Sequence, residues 1–209
     1  LETYLGWVMK KSSDIGFVVG VTGHRDLAMG NEAELSQQID SFLNALRSAL
    51  GTFPLTVACG MADGADRLVA RRALKLGIAV EAVLPMPKRY YLNDFDADSI
   101  EDLESLLSHD NVSLHEISVP SGTSEETLSE ENAARNKQYG KLGAWLFEHS
   151  NLMLGIWDGG LDRPEGGTAD VLLSYLFEQR GHLSKEGIST LNFIENAPIL
   201  STSNVCAWI

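Results

Sequence analysis

The strongest constraint on this chain is an alternation of two hydrophobic periods. Short apolar, β-branched runs occur at Ile15 to Val21, Leu55 to Cys59, Ile78 to Leu84 and Asn151 to Trp157. Runs of that length bounded by turn residues read as buried strands. Between them lie longer segments with helical spacing. Leu35, Ile39, Phe42, Leu43, Leu46 and Leu50 form one apolar face after an Asn31/Glu34 capping pair. Ala65 to Leu76 buries Leu68, Val69, Ala73 and Leu74 before the stop at Gly77. Ile100 to Leu107, Glu130 to Ser150 and Gly167 to Gln179 read as further helices, and Leu114 to Ile117 as a fourth strand in chain order. Strands separated by helices imply right-handed crossovers. The expected fold is therefore α/β: a three-layer, Rossmann-like domain with a mostly parallel central sheet.

The remaining segments are assigned by default. Tyr90 to Asp98 lacks a clear period and reads as a loop, and Pro120 to Glu126 is rich in Ser, Thr and Gly. Ile188 to Ile194 reads as an edge strand. The domain plan is an extension over 1–14, one α/β domain over 15–195 and a tail over 196–209.

Composition removes several function classes. The formal net charge is −13, and the stretch from Lys88 to Glu131 holds twelve Asp and Glu against two basic residues. A duplex-binding surface needs a basic face, so nucleic acid is not an expected partner. The two cysteines, Cys59 and Cys206, have no metal-ligand spacing and give no disulfide framework. No apolar run approaches the ~18 residues of a membrane span. Leu1 to Lys11 carries its lysines after its apolar stretch, the wrong order for a signal peptide. A cytoplasmic protein in a reducing compartment is the expectation.

Ligands of parallel sheets sit outside the carboxyl ends of the strands. Three post-strand segments there are rich in small residues: Gly20-Val21-Thr22-Gly23-His24-Arg25-Asp26, Cys59-Gly60-Met61-Ala62-Asp63-Gly64-Ala65-Asp66-Arg67, and Gly166-Gly167-Thr168-Ala169-Asp170. Glycine lets a ligand approach the main chain, and helix-start N–H groups attract anions. The three segments are expected to converge on one pocket for a phosphate-bearing ligand. Familiar chemistries are missing. Gly20 and Gly23 are three apart, so G-x-G-x-x-G is absent, and no G-K-[ST] follows a glycine turn. H-E-x-x-H, C-x-x-C and G-x-S-x-G are absent as well.

These segments, with Val83-Leu84-Pro85-Met86-Pro87 and the continuation Leu68-Val69-Ala70 and Val171, resemble the SLOG superfamily over roughly Gly16 to Gln179. That superfamily groups the LOG phosphoribohydrolases, DprA and molybdenum-cofactor carriers. The resemblance implies a nucleotide or nucleotide-derived ligand, including NAD-derived signalling nucleotides, which some members sense in bacterial defence. No cofactor beyond such a ligand is assigned. The chain departs from the LOG pattern P-G-G-x-G-T-x-x-E. Glu165-Gly166-Gly167-Thr168 is one residue short, and three residues past Thr168 stands Val171. Asp170 comes one position early. Arg135, in Asn132-Ala133-Ala134-Arg135-Asn136-Lys137, resembles the LOG catalytic arginine.

Each candidate has a plainer alternative. Arg25 suits bidentate contact with phosphate, or an ion pair with a neighbouring loop. His24 is a ligand donor or a structural one. Asp66 and Asp170 hold ribose hydroxyls or simply complement helix dipoles. Gly60, Gly64, Ala65, Gly166, Gly167 and Thr168 cradle phosphate or initiate helices. Arg135 and Tyr139 share a helix face and present a cation and a ring, or lie on the surface. Asp158 contacts a ligand or forms a turn. Trp145 and Trp157 read as core. The first reading is a ligand sensor or carrier. The alternatives are an N-glycosidic hydrolase of nucleoside monophosphates and a protein-interaction module with a vestigial pocket. Homo-oligomerisation through helices is an expectation by analogy with related folds.

Overall fold

The computed structural model describes residues 16–27, 32–120, 128, 133–157, 167–172 and 205–208. The elements follow the sequence pattern closely: β1 (Phe17–Gly23), α1 (Glu32–Leu50), β2 (Leu55–Cys59), α2 (Ala65–Lys75), β3 (Ala79–Leu84), α3 (Lys88–Tyr91), a 3-10 turn (Leu92–Asp94), α4 (Ala97–Leu107), β4 (Val112–Glu116), α5 (Ala133–His149) and β5 (Leu152–Ile156). A helix α6 follows over residues 168–172, and β6 (Val205–Trp208) ends the set. No helix among the described residues is long and apolar enough to cross a membrane.

One six-stranded sheet runs β4-β3-β2-β1-β5-β6, and every neighbouring pair is parallel. Side chains alternate across it with the strand period of two. Val19, Val21, Val57, Cys59, Val80, Ala82, Leu84, Leu152, Leu154 and Ile156 point to one face and pack with α1, α2 and α4. Ala58, Val83 and Met153 point to the other and pack with Leu142 and Leu146 of α5 and with Val171 and Leu172 of α6. The chain is thus a three-layer α/β fold with a helical layer on each side. The second face is lined by small residues. A Cβ on Gly20 would collide with Ser150 and Met153, one on Gly155 with Leu172, and one on Gly143 of α5 with Val171. Side chains at Gly20 and Gly155 would hold the end of α5 and α6 off the sheet, and one at Gly143 would hold α5 off α6.

Tertiary contacts revise three of the sequence assignments. The Tyr90 to Asp98 segment is not a loop but carries α3 and the 3-10 turn. Tyr91 is fully buried, donates its hydroxyl to Gly60 O at 2.9 Å, and meets Phe95 edge to face at 4.9 Å. A buried tyrosine and a half-buried phenylalanine order a stretch whose own periodicity is too short to show. Helix α4 begins at Ala97 rather than Ile100 because Asp96 caps it, accepting from Ser99 N at 2.8 Å. Val205–Trp208, placed in the tail by the sequence, forms the edge strand β6. The helix at 167–179 is described only to residue 172. The 121–126 part of the proposed loop, the strand proposed at 188–194 and the extension over 1–14 lie outside the described residues.

Candidate functional site

The strand order fixes where a site can form. From β1 the chain winds outward through β2, β3 and β4, then returns to lay β5 on the opposite edge of β1. The order reverses between β1 and β5, and the connections leaving these two strands diverge to opposite faces. Such a switch point leaves a crevice at the carboxyl ends. A cavity of about 390 Å³ lies there, bounded by Thr22–Arg25 after β1, Gly60 and Ala62 after β2, Asp66 on α2, Tyr91 on α3, Tyr139–Leu146 on α5, and the start of α6. Its volume falls at the small end of the ~300–1,000 Å³ typical of small-molecule pockets.

The first two turns are locked together by main-chain contact. Gly64 has φ +75°, and a Cβ there would lie 2.1 Å from Arg25 O and 2.6 Å from His24 O. Ala65 N donates to His24 O at 3.0 Å, and His24 N to Ile156 O at 3.1 Å. A Cβ on Gly23 would strike the Ala65 methyl at 2.3 Å. The glycines and Ala65 therefore bring the β1 and β2 turns into contact, which places His24, Arg25 and Asp66 on a shared wall.

Of the residues singled out from sequence, Gly23, His24, Arg25, Gly60, Asp66, Gly167 and Thr168 line the cavity. The three turns do converge. Gly64 and Ala65 do not line it but build the joint just described. Asp170 is not among the lining residues, although its neighbours Ala169 and Val171 are. Asp158 and Gly166 lie outside the described residues.

Arg135 corrects the sequence expectation. Its guanidinium is buried away from the cavity, donating to Leu128 O, to Tyr90 O at 3.1 Å and to Asp94 Oδ1 at 2.6 Å. It ties α5 to the α3 segment. Its helix neighbour Tyr139 reaches the cavity instead, with its hydroxyl bonded to Asp94 Oδ2. The sequence weighed both as one face; packing separates them, because only Arg135 has enclosed carbonyls to satisfy. Arg67, adjacent to Asp66, is also structural. It is 2% exposed and donates to Met61 O at 3.0 Å and Ser99 O at 2.8 Å, and it pairs with Asp63 at 2.8 Å and Asp102 at 3.1 Å.

Two groups give the cavity its electrostatics. Arg25 sits at the rim, 44% exposed, with Nη2 3.7 Å from Asp94 Oδ2 and 3.3 Å from the Tyr139 hydroxyl. Its guanidinium lies 5.8 Å from the ring centres of both Phe95 and Tyr139. Asp66 lies deep, 7% exposed, and accepts from Ala62 N at 3.3 Å. Burial pushes its carboxyl up to about 7, opposed by the Ala62 N–H and by the charge of Arg25. The opposite wall is apolar, made by Leu142, Gly143, Leu146 and Val171.

Sequence reasoning missed Tyr91, Thr22, Ala62 and the apolar wall. The signal for Tyr91 was available: it follows Pro85-Met86-Pro87 at the end of β3, another carboxyl end of the same sheet edge.

Neither a family model nor a curated protein matches this sequence. Among solved structures, DNA processing protein A (DprA) from Streptococcus pneumoniae matches with a TM-score of 0.50 and 14% identity. The match covers 77% of this chain and 47% of that one, so it spans about half the length of DprA. At that identity the likeness speaks for the fold. The chain shares the Rossmann-like α/β fold with DprA.

Proposed function

We propose that this chain binds a nucleotide or nucleotide-derived ligand in the switch-point cavity. The observation that carries this reading is the convergence of three glycine-bearing turns, after β1, after β2 and before α6, on one concave site with a cation at its rim. A phosphate would sit against Arg25 and the main-chain N–H groups near Gly167 and Thr168, which are small enough to permit close approach. The apolar wall of α5 and α6 would take the uncharged part of the ligand. DprA is named for DNA processing. For this chain the net charge of −13 argues against a polyanion laid along the surface and for a small ligand taken into a pocket.

The test is calorimetric titration with AMP, ADP-ribose and NAD. Arg25→Ala is expected to weaken binding roughly 10- to 150-fold, since a hydrogen bond to a charged group contributes ~1.5–3 kcal/mol. Gly167→Val should weaken it comparably by filling the cavity. If no ligand binds, or if Arg25→Ala binds as well as the parent, the reading fails.

One observation favours a hydrolytic second reading. Asp66 is an enclosed carboxyl in the cavity wall that burial pushes up to about 7, the direction a general acid requires. Release of free base from AMP or NAD that disappears in Asp66→Asn would establish it. Binding without release would leave the chain a sensor or carrier.

A further inference from the structure

Strand β4 ends the sheet on one side, and its outer edge is open. Asn111 O accepts from Val80 N at 2.9 Å, and Ile117 N donates to Leu84 O at 2.9 Å. The parallel register runs from Val80↔Val112 to Leu84↔Glu116, so the odd-numbered residues turn their main-chain groups toward β3. The N–H and C=O of Leu114 and Glu116, with the C=O of Val112, therefore face away from the sheet. Among the described residues nothing pairs with them. Both faces of the strand are open too. Ser113, Leu114, His115 and Glu116 are exposed, Leu114 at 48%. Proteins blunt such edges with proline, lysine or a bulge. Val112–Glu116 has neither residue, and its pairing with β3 runs unbroken.

The edge is also self-complementary. A twofold axis through Leu114, perpendicular to the sheet, sets a second β4 antiparallel to the first. The outward residues then face one another, Leu114 opposite Leu114 and Val112 opposite Glu116. The two Leu114 residues exchange a pair of main-chain hydrogen bonds, and each Glu116 N–H meets a Val112 C=O. The exposed leucine side chains cover each other on the face shared with Ala82. On the other face Ser113 stands opposite His115. Glu116 meets no second acid, and its carboxylate already accepts from Lys88 N at 2.6 Å.

We propose that the outer edge of β4 is a dimerisation edge, where a second copy of this chain adds its own β4 antiparallel about Leu114 and joins the two sheets into one. The occupant is a second copy because the outward hydrogen-bonding groups, the exposed leucine and the charges all match under that single operation. The contact differs from the helix-mediated association that analogy with related folds suggests. An edge of five residues belongs with small, weak interfaces, so the dimer forms with rising concentration. Each copy carries a net charge of −13, so added salt should tighten it.

The experiment is sedimentation velocity on the whole chain from roughly 1 μM to 1 mM, at low and high salt. A monomer–dimer equilibrium is expected. Leu114→Pro removes an N–H that β3 does not use, and should weaken the dimer roughly 5- to 150-fold, the range for two main-chain hydrogen bonds. Leu114→Lys sets like charges together at the axis and should leave a monomer. Phe53→Ser, at the other exposed large apolar side chain, should dimerise as the parent does. Ser113 and His115 would oppose each other with α-carbons ~4.5 Å apart, within reach of a disulfide. Mild oxidation of mixed Ser113→Cys and His115→Cys proteins should therefore give a linked pair that neither forms alone. The proposal is overturned by a chain that stays monomeric throughout, by a dimer that both Leu114 variants keep, by dissociation on adding salt, or by either cysteine variant linking to itself.

Discussion

Gly64→Ala is expected to lower the melting temperature by roughly 10 °C. In most turns a glycine-to-alanine change is mild, or stabilises by ~0.4–1 kcal/mol through the unfolded state. Here two effects run the other way. The backbone at φ +75°, ψ −120° lies where a residue with a Cβ is strained, by ~1–3 kcal/mol. The added methyl would lie 2.1 Å from Arg25 O, a main-chain atom that cannot rotate aside. Overpacking of that kind costs ~1–3 kcal/mol more. A total of about 4 kcal/mol corresponds to roughly 10 °C in a chain of this size. Gly51→Ala is the control. It too has a positive φ, +63°, but a Cβ there meets nothing within 4 Å, so it should show the strain alone. Thermal unfolding of both variants separates the two effects. If Gly64→Ala costs no more than Gly51→Ala, the contact between the β1 and β2 turns is not the constraint described here.

Asp66→Asn should change how stability depends on pH. Burial raises the folded carboxyl from 3.8 to about 7. Between those values the folded chain holds a proton that the unfolded chain releases, so stability falls as pH rises. The loss begins near the unfolded value and is complete above the folded one. It amounts to about 4 kcal/mol over the full window and roughly 3 kcal/mol between pH 5 and pH 8. Cys59 and Tyr91 are buried beside Asp66 and pushed upward, so both stay neutral throughout. An asparagine has no proton to lose. The melting temperature of Asp66→Asn, measured against the parent, should therefore rise by several degrees between pH 5 and pH 8. Parallel curves would mean that Asp66 is ionised across the range and that its burial is relieved in some other way.

Much of this molecule is legible in the sequence because much of it is local. β2 begins and ends where the run Leu55 to Cys59 predicts, and α2 fits its own apolar spacing to within a residue. Period two against period 3.6 is a property of neighbouring residues, and it survives without knowledge of the fold. The rule that ligands gather at the carboxyl ends of parallel strands then turned three glycine-bearing segments into one expected cavity, and the structure brings them together.

What the tertiary structure decided is which neighbour each residue meets. The return of β5 to the side of β1 creates the switch point, and no local pattern in Leu152–Ile156 states that partner. Val205–Trp208 becomes a strand only because β5 offers it an edge. Arg135 and Tyr139 lie four residues apart on one helix, yet one is drawn into buried carbonyls and the other reaches the cavity. Gly64 carries the marks of a phosphate cradle in sequence, but its lack of a side chain is required by the His24 and Arg25 carbonyls. Periodicity records how much of a residue is buried along its own element. Which atoms bury it depends on chain segments far away in sequence, and that choice is made only when the layers pack.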